Sequence, residues 1–294
     1  MGADGVALGE RLRCGSIADF LAFWLEECRL EAEQQKTFEH YYRSYRRHFG
    51  PYLRHWYARQ TEELVRLVRG AGAPAVLEVG SGCGTEALWV ALQGARVRGI
   101  DIVRELLAVA ESRLARLQAA TGTVLDCRFE YRSVLEMVGE EFDIVYLEQA
   151  FHHLEPRAAA IERLAALVRP GGWLIISETN GWNPLVQVQL FRLRGLHTIS
   201  SHEGHMWGHE RITVPTALVG QFAAHGLRQE SLAYYRTLPN VAAADRFLAL
   251  DRRMPRLLKP LFTHYNLVLR KDAIRPSYAN WGSMKGRAKS PRCP

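Results

Sequence analysis

The stretch Val76-Leu77-Glu78-Val79-Gly80-Ser81-Gly82-Cys83-Gly84 reads as a short buried strand running into a bend almost free of side chains. Alternating glycines let a backbone turn sharply, so that amide N–H groups and the next helix's N-terminus face a ligand at close range. About twenty residues on, a second strand-like run, Ala95–Ile100, ends on Asp101, the place of a ribose-binding carboxylate in nucleotide-binding α/β units. The two features together point to an adenosine-containing small molecule.

The glycine spacing narrows that ligand. A dinucleotide fingerprint requires Gly-x-Gly-x-x-Gly, but here the glycines fall at 80, 82 and 84 and Thr85 stands at the third site. With Glu78, Gly80, Gly82, Gly84 and Asp101 in these places, the chain resembles the class I S-adenosylmethionine-dependent methyltransferases. Two later segments resemble landmarks of the same family. Phe142–Leu147 followed by Phe151-His152-His153-Leu154 looks like its fourth strand and downstream His-Leu pair. Arg169-Pro170-Gly171-Gly172 looks like the turn into its fifth strand. The resemblance implies an α/β fold: a seven-stranded, mostly parallel sheet with helices on both faces, an antiparallel last strand and an N-terminal helical lid.

The alternation along the chain agrees with that expectation. Strand-like runs occur at 75–79, 97–101, 124–131, 142–147 and 173–178, separated by helical patterns such as 102–117 and 157–168. A helix over 214–225 and strands over 227–235 and 263–270 complete the expected sheet. Residues 1–70 read as helices, with Ser16 and Asp19 as a cap and a break at Gly50-Pro51. Their aromatics, Tyr41, Tyr42, Tyr45, Phe49, Tyr52, Trp56 and Tyr57, serve either as packing for an appended helical unit or as a lid over the acceptor pocket. The expected organisation is this unit (1–70), a methyltransferase domain (71–271) with an acceptor-site insertion (180–212), and a basic, flexible tail (272–294).

Each part of the donor asks for different chemistry. Its carboxylate suits the amides of Gly80, Ser81, Gly82 and Gly84 and the helix end behind them. Its ammonium needs an acceptor, for which Glu78 or the carbonyls beside it are the candidates, its ribose diol suits Asp101, and Glu148 is a further residue expected at the donor site. In the family, an Asp after the third strand commonly holds the adenine amino group. Ser133 stands there instead, so the Ser133 hydroxyl or the Val134 amide takes that role, with Ile102 covering the ring face.

Methyl transfer needs the acceptor aligned in line with the methyl and, for an oxygen nucleophile, a base to take its proton. Residues at the carboxyl ends of the strands are the candidates: Glu148, Gln149, His152, His153, Glu178, Asn180 and the cluster His202–Arg211. His205, in an unusually long connection, is the first choice of base, with His153 and Glu148 as alternatives. His209 and His264 read as structural. The histidine spacing matches no standard zinc pattern and no cysteine joins it, so no metal is expected.

Composition narrows the partners. The chain has 294 residues, five cysteines and a net charge of +7. Odd, unpaired cysteines suggest a reducing, cytoplasmic setting. Cys83 is expected to be a small filler. No apolar run approaches the ~20 residues that span a bilayer, and no signal peptide is expected. Cations concentrate at Arg43–Arg59 and from Arg252 to Arg292. They are either solvated faces or an attraction to an anionic acceptor such as nucleic acid, a lipid headgroup or a phosphorylated sugar. No Asn-Pro-Pro or Asp-Pro-Pro follows the fourth strand and no Pro-Cys nucleophile occurs, which disfavours DNA methylation. The leading expectation is transfer to an oxygen of a small-molecule, sugar or lipid-linked acceptor. An RNA or protein methyltransferase using the basic C-terminal region, a nicotinamide oxidoreductase and a donor-binding scaffold are the alternatives.

Overall fold

The computed structural model describes residues 14–26, 29–188, 200–201, 209–210, 212–255 and 257–273. The expected basic tail from 274, His205 and most of its cluster lie outside the described residues.

Helix α1 (Ile17–Glu26) begins at the cap that the sequence predicts, with the Asp19 N–H donating to Ser16 Oγ at 3.3 Å. Helices α2 (Ala32–Tyr41) and α3 (Arg43–Arg47) follow. The break at Gly50-Pro51 is the start of α4 (Pro51–Gln60), where proline occupies the first turn and lacks only an N–H that would be unpaired anyway. Helix α5 (Glu62–Ala71) leads into the first strand. The tyrosines of this region pack edge to face: Tyr45 lies 5.7 Å from Tyr42 and 5.5 Å from both Phe49 and Tyr57.

Strands β1 (Ala75–Val79), β2 (Arg96–Asp101), β3 (Cys127–Tyr131), β4 (Phe142–Glu148) and β5 (Val168–Thr179) form the parallel part of the sheet. Helices α6 (Thr85–Leu92), α7 (Arg104–Thr121) and α8 (Arg157–Leu167) connect them, and α9 (Pro215–Ala223) leads to β6 (Leu227–Tyr235). After a short helix, α10 (Leu248–Arg252), the chain returns as β7 (His264–Lys271). The order across the sheet is β3-β2-β1-β4-β5-β7-β6, with β7 antiparallel to β5 and to β6. This is the seven-stranded arrangement that the sequence implied.

Two strand boundaries differ from expectation by more than one residue. β3 begins at Cys127 rather than 124, because Val124 is 89% exposed and the Leu125 N–H is taken by the Gln118 side chain. β5 begins at Val168, ahead of the Pro-Gly-Gly segment; the register slips between Phe142 and Ile144, and the glycines form an irregularity within the strand.

One sheet face buries Val76, Val97, Ile144 and Ile175 against α6, α7 and the N-terminal helices; the other buries Leu77, Val145 and Leu174 against α8 and α9. No helix among the described residues is long and apolar enough to cross a membrane. Arg113 of α7 is fully buried in the first core. Its guanidinium lies 4.6 Å from the Trp24 ring centroid and 5.0 Å from that of Phe38, and donates to Cys83 O at 2.5 Å and Thr85 Oγ1 at 2.8 Å. Tyr42 adds a 2.5 Å bond to the same Thr85 hydroxyl. The N-terminal helices are thereby tied to the bend after β1. Replacement Arg113→Met removes the cation from its aromatic faces and leaves the Cys83 carbonyl without this donor. We expect a loss of about 2–4 kcal/mol in chemical denaturation; an unchanged midpoint would refute the anchoring role.

Candidate functional site

The bend after β1 needs glycine for two separable reasons. Gly80 and Gly82 have φ of +74° and +50°, a region costly for other L-residues. A Cβ on Gly80 would also come within 2.5 Å of Ala150 Cβ, and one on Gly82 would run into the Tyr41 hydroxyl. Backbone bonds hold the bend down, since Gly80 N and Ser81 N both donate to Ile100 O, at 2.9 and 3.0 Å. Asp101 completes the hold: Oδ2 accepts from Gly82 N at 2.8 Å and Oδ1 from Val103 N at 2.9 Å. Burial pushes the Asp101 carboxyl up, and the N–H groups of Gly82, Val103 and Ile102 oppose that shift.

This bend forms one wall of a cavity of about 650 Å³ at the carboxyl ends of the parallel strands, within the usual range for small-molecule sites. Of the residues predicted for the donor, Gly80, Gly82, Asp101, Ile102, Ser133, Val134 and Glu148 line it. Ile102 is 62% exposed, an apolar face open to the cavity. Ser133 caps a short 3-10 helix, its Oγ accepting from Leu135 N at 3.3 Å, so its hydroxyl already has a structural task. Glu78, Ser81 and Gly84 are absent from the cavity wall; Glu78 and Ser81 are buried in and beneath the bend. Tyr41 and Ser44, from the N-terminal helical region, also line the cavity.

Two predicted acids, Glu78 and Glu148, are joined near the bend by a third, Glu86, which the sequence does not announce. Glu86, in the first turn of α6, accepts from the Tyr57 hydroxyl at 2.6 Å, and Glu148 accepts from Gln60 Nε2 at 3.1 Å. Glu78 Oε2 is buried with no hydrogen-bond partner among the described residues. Burial raises all three acids, and the Glu86 charge raises Glu78 and Glu148 further. Burial also pushes the Cys83 thiol up to about 12, which suits a filler rather than a nucleophile.

Across the cavity stands a second arrangement. His152 Nδ1 lies 2.8 Å from Glu178 Oε2, and the His152 backbone N–H donates to Glu178 Oε1 at 3.2 Å. Glu178 is 1% exposed. Burial alone would raise its carboxyl, but the charge and hydrogen bonds of His152, with the charge of His153, hold it below the usual carboxylate range. When the ring is neutral, the bond to a carboxylate assigns its proton to Nδ1 and leaves the Nε2 lone pair available, on a ring that lines the cavity. His153 lines it too, with ring centroids 4.0 Å apart. The short ladder of Ser200–Ser201 with His209–Glu210 lies beside this turn. Gln149 sits between the two arrangements at φ +47°, a strained position for a residue other than glycine. His264 is bonded to Thr263 Oγ1 at 2.7 Å. A second cavity, lined by Trp56, Tyr235 and Asn266, measures about 140 Å³ and is too small for a nucleoside donor.

Known proteins resemble this chain in part. Residues 77–176 match the family model described as a methyltransferase domain. The ubiquinone biosynthesis O-methyltransferase of Paracidovorax citrulli is 37% identical over 110 residues, covering 36% of this chain and 43% of that protein. Methyltransferase GfsG of Streptomyces halstedii is 27% identical over 146 residues, 49% of this chain and 51% of its own. The crystal structure of magnesium protoporphyrin IX methyltransferase from Synechocystis, with bound S-adenosylhomocysteine, aligns with a TM-score of 0.55 at 16% identity. That alignment covers 87% of this chain and 100% of that one. The chain spans about half or less of the length of the Paracidovorax and Streptomyces relatives it matches in sequence. Residues 77–176 thus carry a methyltransferase domain, on the fold of the class I, S-adenosylmethionine-dependent methyltransferases.

Asp101 is the joint most open to test without reference to any ligand. An Asp101→Asn side chain presents one acceptor where two backbone N–H groups need one each. We expect about 1–3 kcal/mol of lost stability, read from denaturant melts; an unaltered melt would mean the bend holds itself.

Proposed function

We propose that this chain uses S-adenosylmethionine to methylate an oxygen of a small-molecule acceptor, with His152 taking the acceptor's proton. The observation that carries the reading is the pairing, across one cavity, of the Gly80–Gly82 bend and Asp101 with His152 backed by Glu178. S-adenosylmethionine, when bound, supplies a methyl carbon already activated by its sulfonium.

The residues fit such a donor in charge and shape. The bend offers backbone where side chains would collide, as a close-packed ligand needs. Asp101 keeps acceptor capacity for a ribose diol beyond its two backbone bonds, since an ionised carboxylate has about four lone-pair sites. Ile102 and Val134 offer apolar cover for adenine. Glu78, Glu86 and Glu148 supply negative potential toward a ligand that carries an ammonium and a sulfonium, and the unpartnered Glu78 oxygen is consistent with a site left short of positive charge. Tyr41 and Ser44 give the N-terminal helices a part in closing the donor site.

Oxygen is favoured as the acceptor atom because an imidazole held by a buried carboxylate is the apparatus for removing a hydroxyl proton. His152 Nε2 would take the proton of the acceptor hydroxyl, whose oxygen gains the methyl as the donor's sulfur–methyl bond breaks, and Glu178 would stabilise the imidazolium that results. Attack by a neutral tertiary amine would need no such base. The name of the Paracidovorax relative, an O-methyltransferase, supports the same choice.

Two outcomes follow. His152→Gln and Glu178→Gln should each lower turnover by about 10²–10⁴-fold, measured as S-adenosylhomocysteine formed with a panel of hydroxylated acceptors. Calorimetric affinity for S-adenosylhomocysteine should stay within about twofold; an unaffected turnover would remove the pair from the chemistry. The acid group gives the second. Burial and mutual repulsion raise Glu78 and Glu148, and a cation brought among them lowers them again. Binding of S-adenosylmethionine should therefore release protons, and its affinity should rise with pH. Titrations in buffers of different ionisation heat would read this; identical heats in all buffers would contradict it.

A further inference from the structure

We infer that the chain docks on a lipid bilayer bearing anionic headgroups, through an apolar and cationic face beside the site, and so draws its acceptor from the membrane. The inference deepens the proposed function by naming an amphiphilic, membrane-dissolved acceptor, and it rests on that reading for the acceptor alone.

Two segments build the face. The first follows β5, where a turn and a helical run occupy 181–188. The second runs from 257 to 263, just before β7. Two asparagines stitch them together. Asn180, fully buried, donates from Nδ2 to Lys259 O at 3.0 Å and Phe262 O at 2.8 Å. Asn183 donates to Leu261 O at 3.1 Å, while its Oδ1 accepts from Leu185 N and Val186 N and so caps the helical run. On this stitched platform the exposures are Trp182 48%, Leu185 69%, Val188 46%, Leu257 89%, Leu258 44% and Leu261 47%. A single exposed leucine needs no explanation, but six large apolar side chains on two adjoining segments form the kind of patch that marks an interaction site.

The charge beside the patch selects the occupant. Among the described residues of 245–261, the exposed charged side chains are Arg246, Arg252, Arg253 and Lys259, all cationic. The two acids there are engaged inward. Asp245 holds His48 Nε2 at 2.9 Å and the Tyr52 N–H at 2.9 Å, and Asp251 accepts from the Tyr52 hydroxyl at 2.6 Å. Tryptophan and leucine flanked by arginine and lysine is the composition of a surface that lies in a membrane interface. There the apolar groups sit at the acyl boundary and the cations meet anionic headgroups.

Location links the face to the chemistry. It lies at the carboxyl end of β5 and, because β7 is antiparallel, at the amino end of β7, which is one end of the sheet. The cavity opens at that same end, where Glu148 closes β4. Thr179 joins the two directly: its hydroxyl donates to Gln149 Oε1 at 2.9 Å, Gln149 lines the cavity, and Asn180 is the next residue.

The test floats the full chain with phosphatidylcholine vesicles, with and without phosphatidylglycerol. We expect binding to the anionic vesicles that weakens as salt rises. It should also weaken at least about tenfold in the double variant Leu257→Glu/Leu261→Glu, and clearly in Arg252→Glu/Arg253→Glu. Calorimetric affinity for S-adenosylhomocysteine should be retained in both variants, which shows that the surface and not the fold was altered. Failure of the parent chain to bind anionic vesicles would overturn the inference. So would equal binding by the leucine variant, or a concentration-dependent dimer that the same substitutions disperse, since the face would then belong to a second copy. A parent chain that binds vesicles but gives no heat with S-adenosylhomocysteine would fault the donor reading alone.

Discussion

The Asp101 carboxylate is the constraint on which the site depends. It closes β2, yet its two oxygens hold backbone N–H groups on either side of the cavity wall: Gly82 in the bend after β1 and Val103 at the start of α7. A bend with three glycines loses more conformational freedom on folding than one built from other residues, so contacts from outside it help to keep it formed. Asp101 does so from the cavity side. Arg113, through Cys83 O and Thr85 Oγ1, does so from the core side, and its aromatic seat is built by the N-terminal helices. The helical region and the bend after β1 are for this reason one mechanical unit.

Around that unit the protein places carboxylates in two opposite environments. Glu178 is buried, but the imidazole beside it holds it in the ionised form. Glu78, Glu86 and Glu148 are buried together; desolvation raises all three, and the Glu86 charge adds to it at Glu78 and Glu148. Environments that drive titratable groups apart are how one fold divides its tasks. An ionised acid fixes the orientation of a base. A group of acids short of a counterion responds instead to a cationic ligand, and the Tyr57 hydroxyl and the Gln60 amide keep two of its members hydrogen-bonded meanwhile.

How much of this is legible in the sequence follows from the range of each signal. The bend, Asp101 and the strand order are local in sequence, because glycine spacing and apolar runs report backbone shape directly; β1 and β6 fall at the limits that the sequence predicts. Other features depend on partners far away in the chain. His152 stands out only through Glu178, twenty-six residues on, and as one of several histidines it ranks in the sequence no higher than its neighbour. Arg113 has the residue type of a solvated helix face, and nothing in its own helix says that Trp24 and Phe38 will enclose it. Ser133 shows the converse: its position resembles a ligand contact, but the capping bond with Leu135 N engages its hydroxyl.

The orientation of the last two strands has a consequence for how an acceptor arrives. A wholly parallel sheet would send the connection into its final strand back to the far end. Here β7 runs against β5, so the segment that precedes it, with Leu257, Leu258 and Leu261, is delivered to the end where the cavity opens. Asn180 and Asn183 then spend their side-chain donors on that segment's carbonyls rather than on solvent, which fixes apolar groups in water that an unconstrained loop would turn inward. Holding exposed leucines in place opposes the hydrophobic effect, and an apolar phase that covers them relieves that cost. With cations as the exposed charges on the same stretch, an anionic bilayer meets both requirements at once.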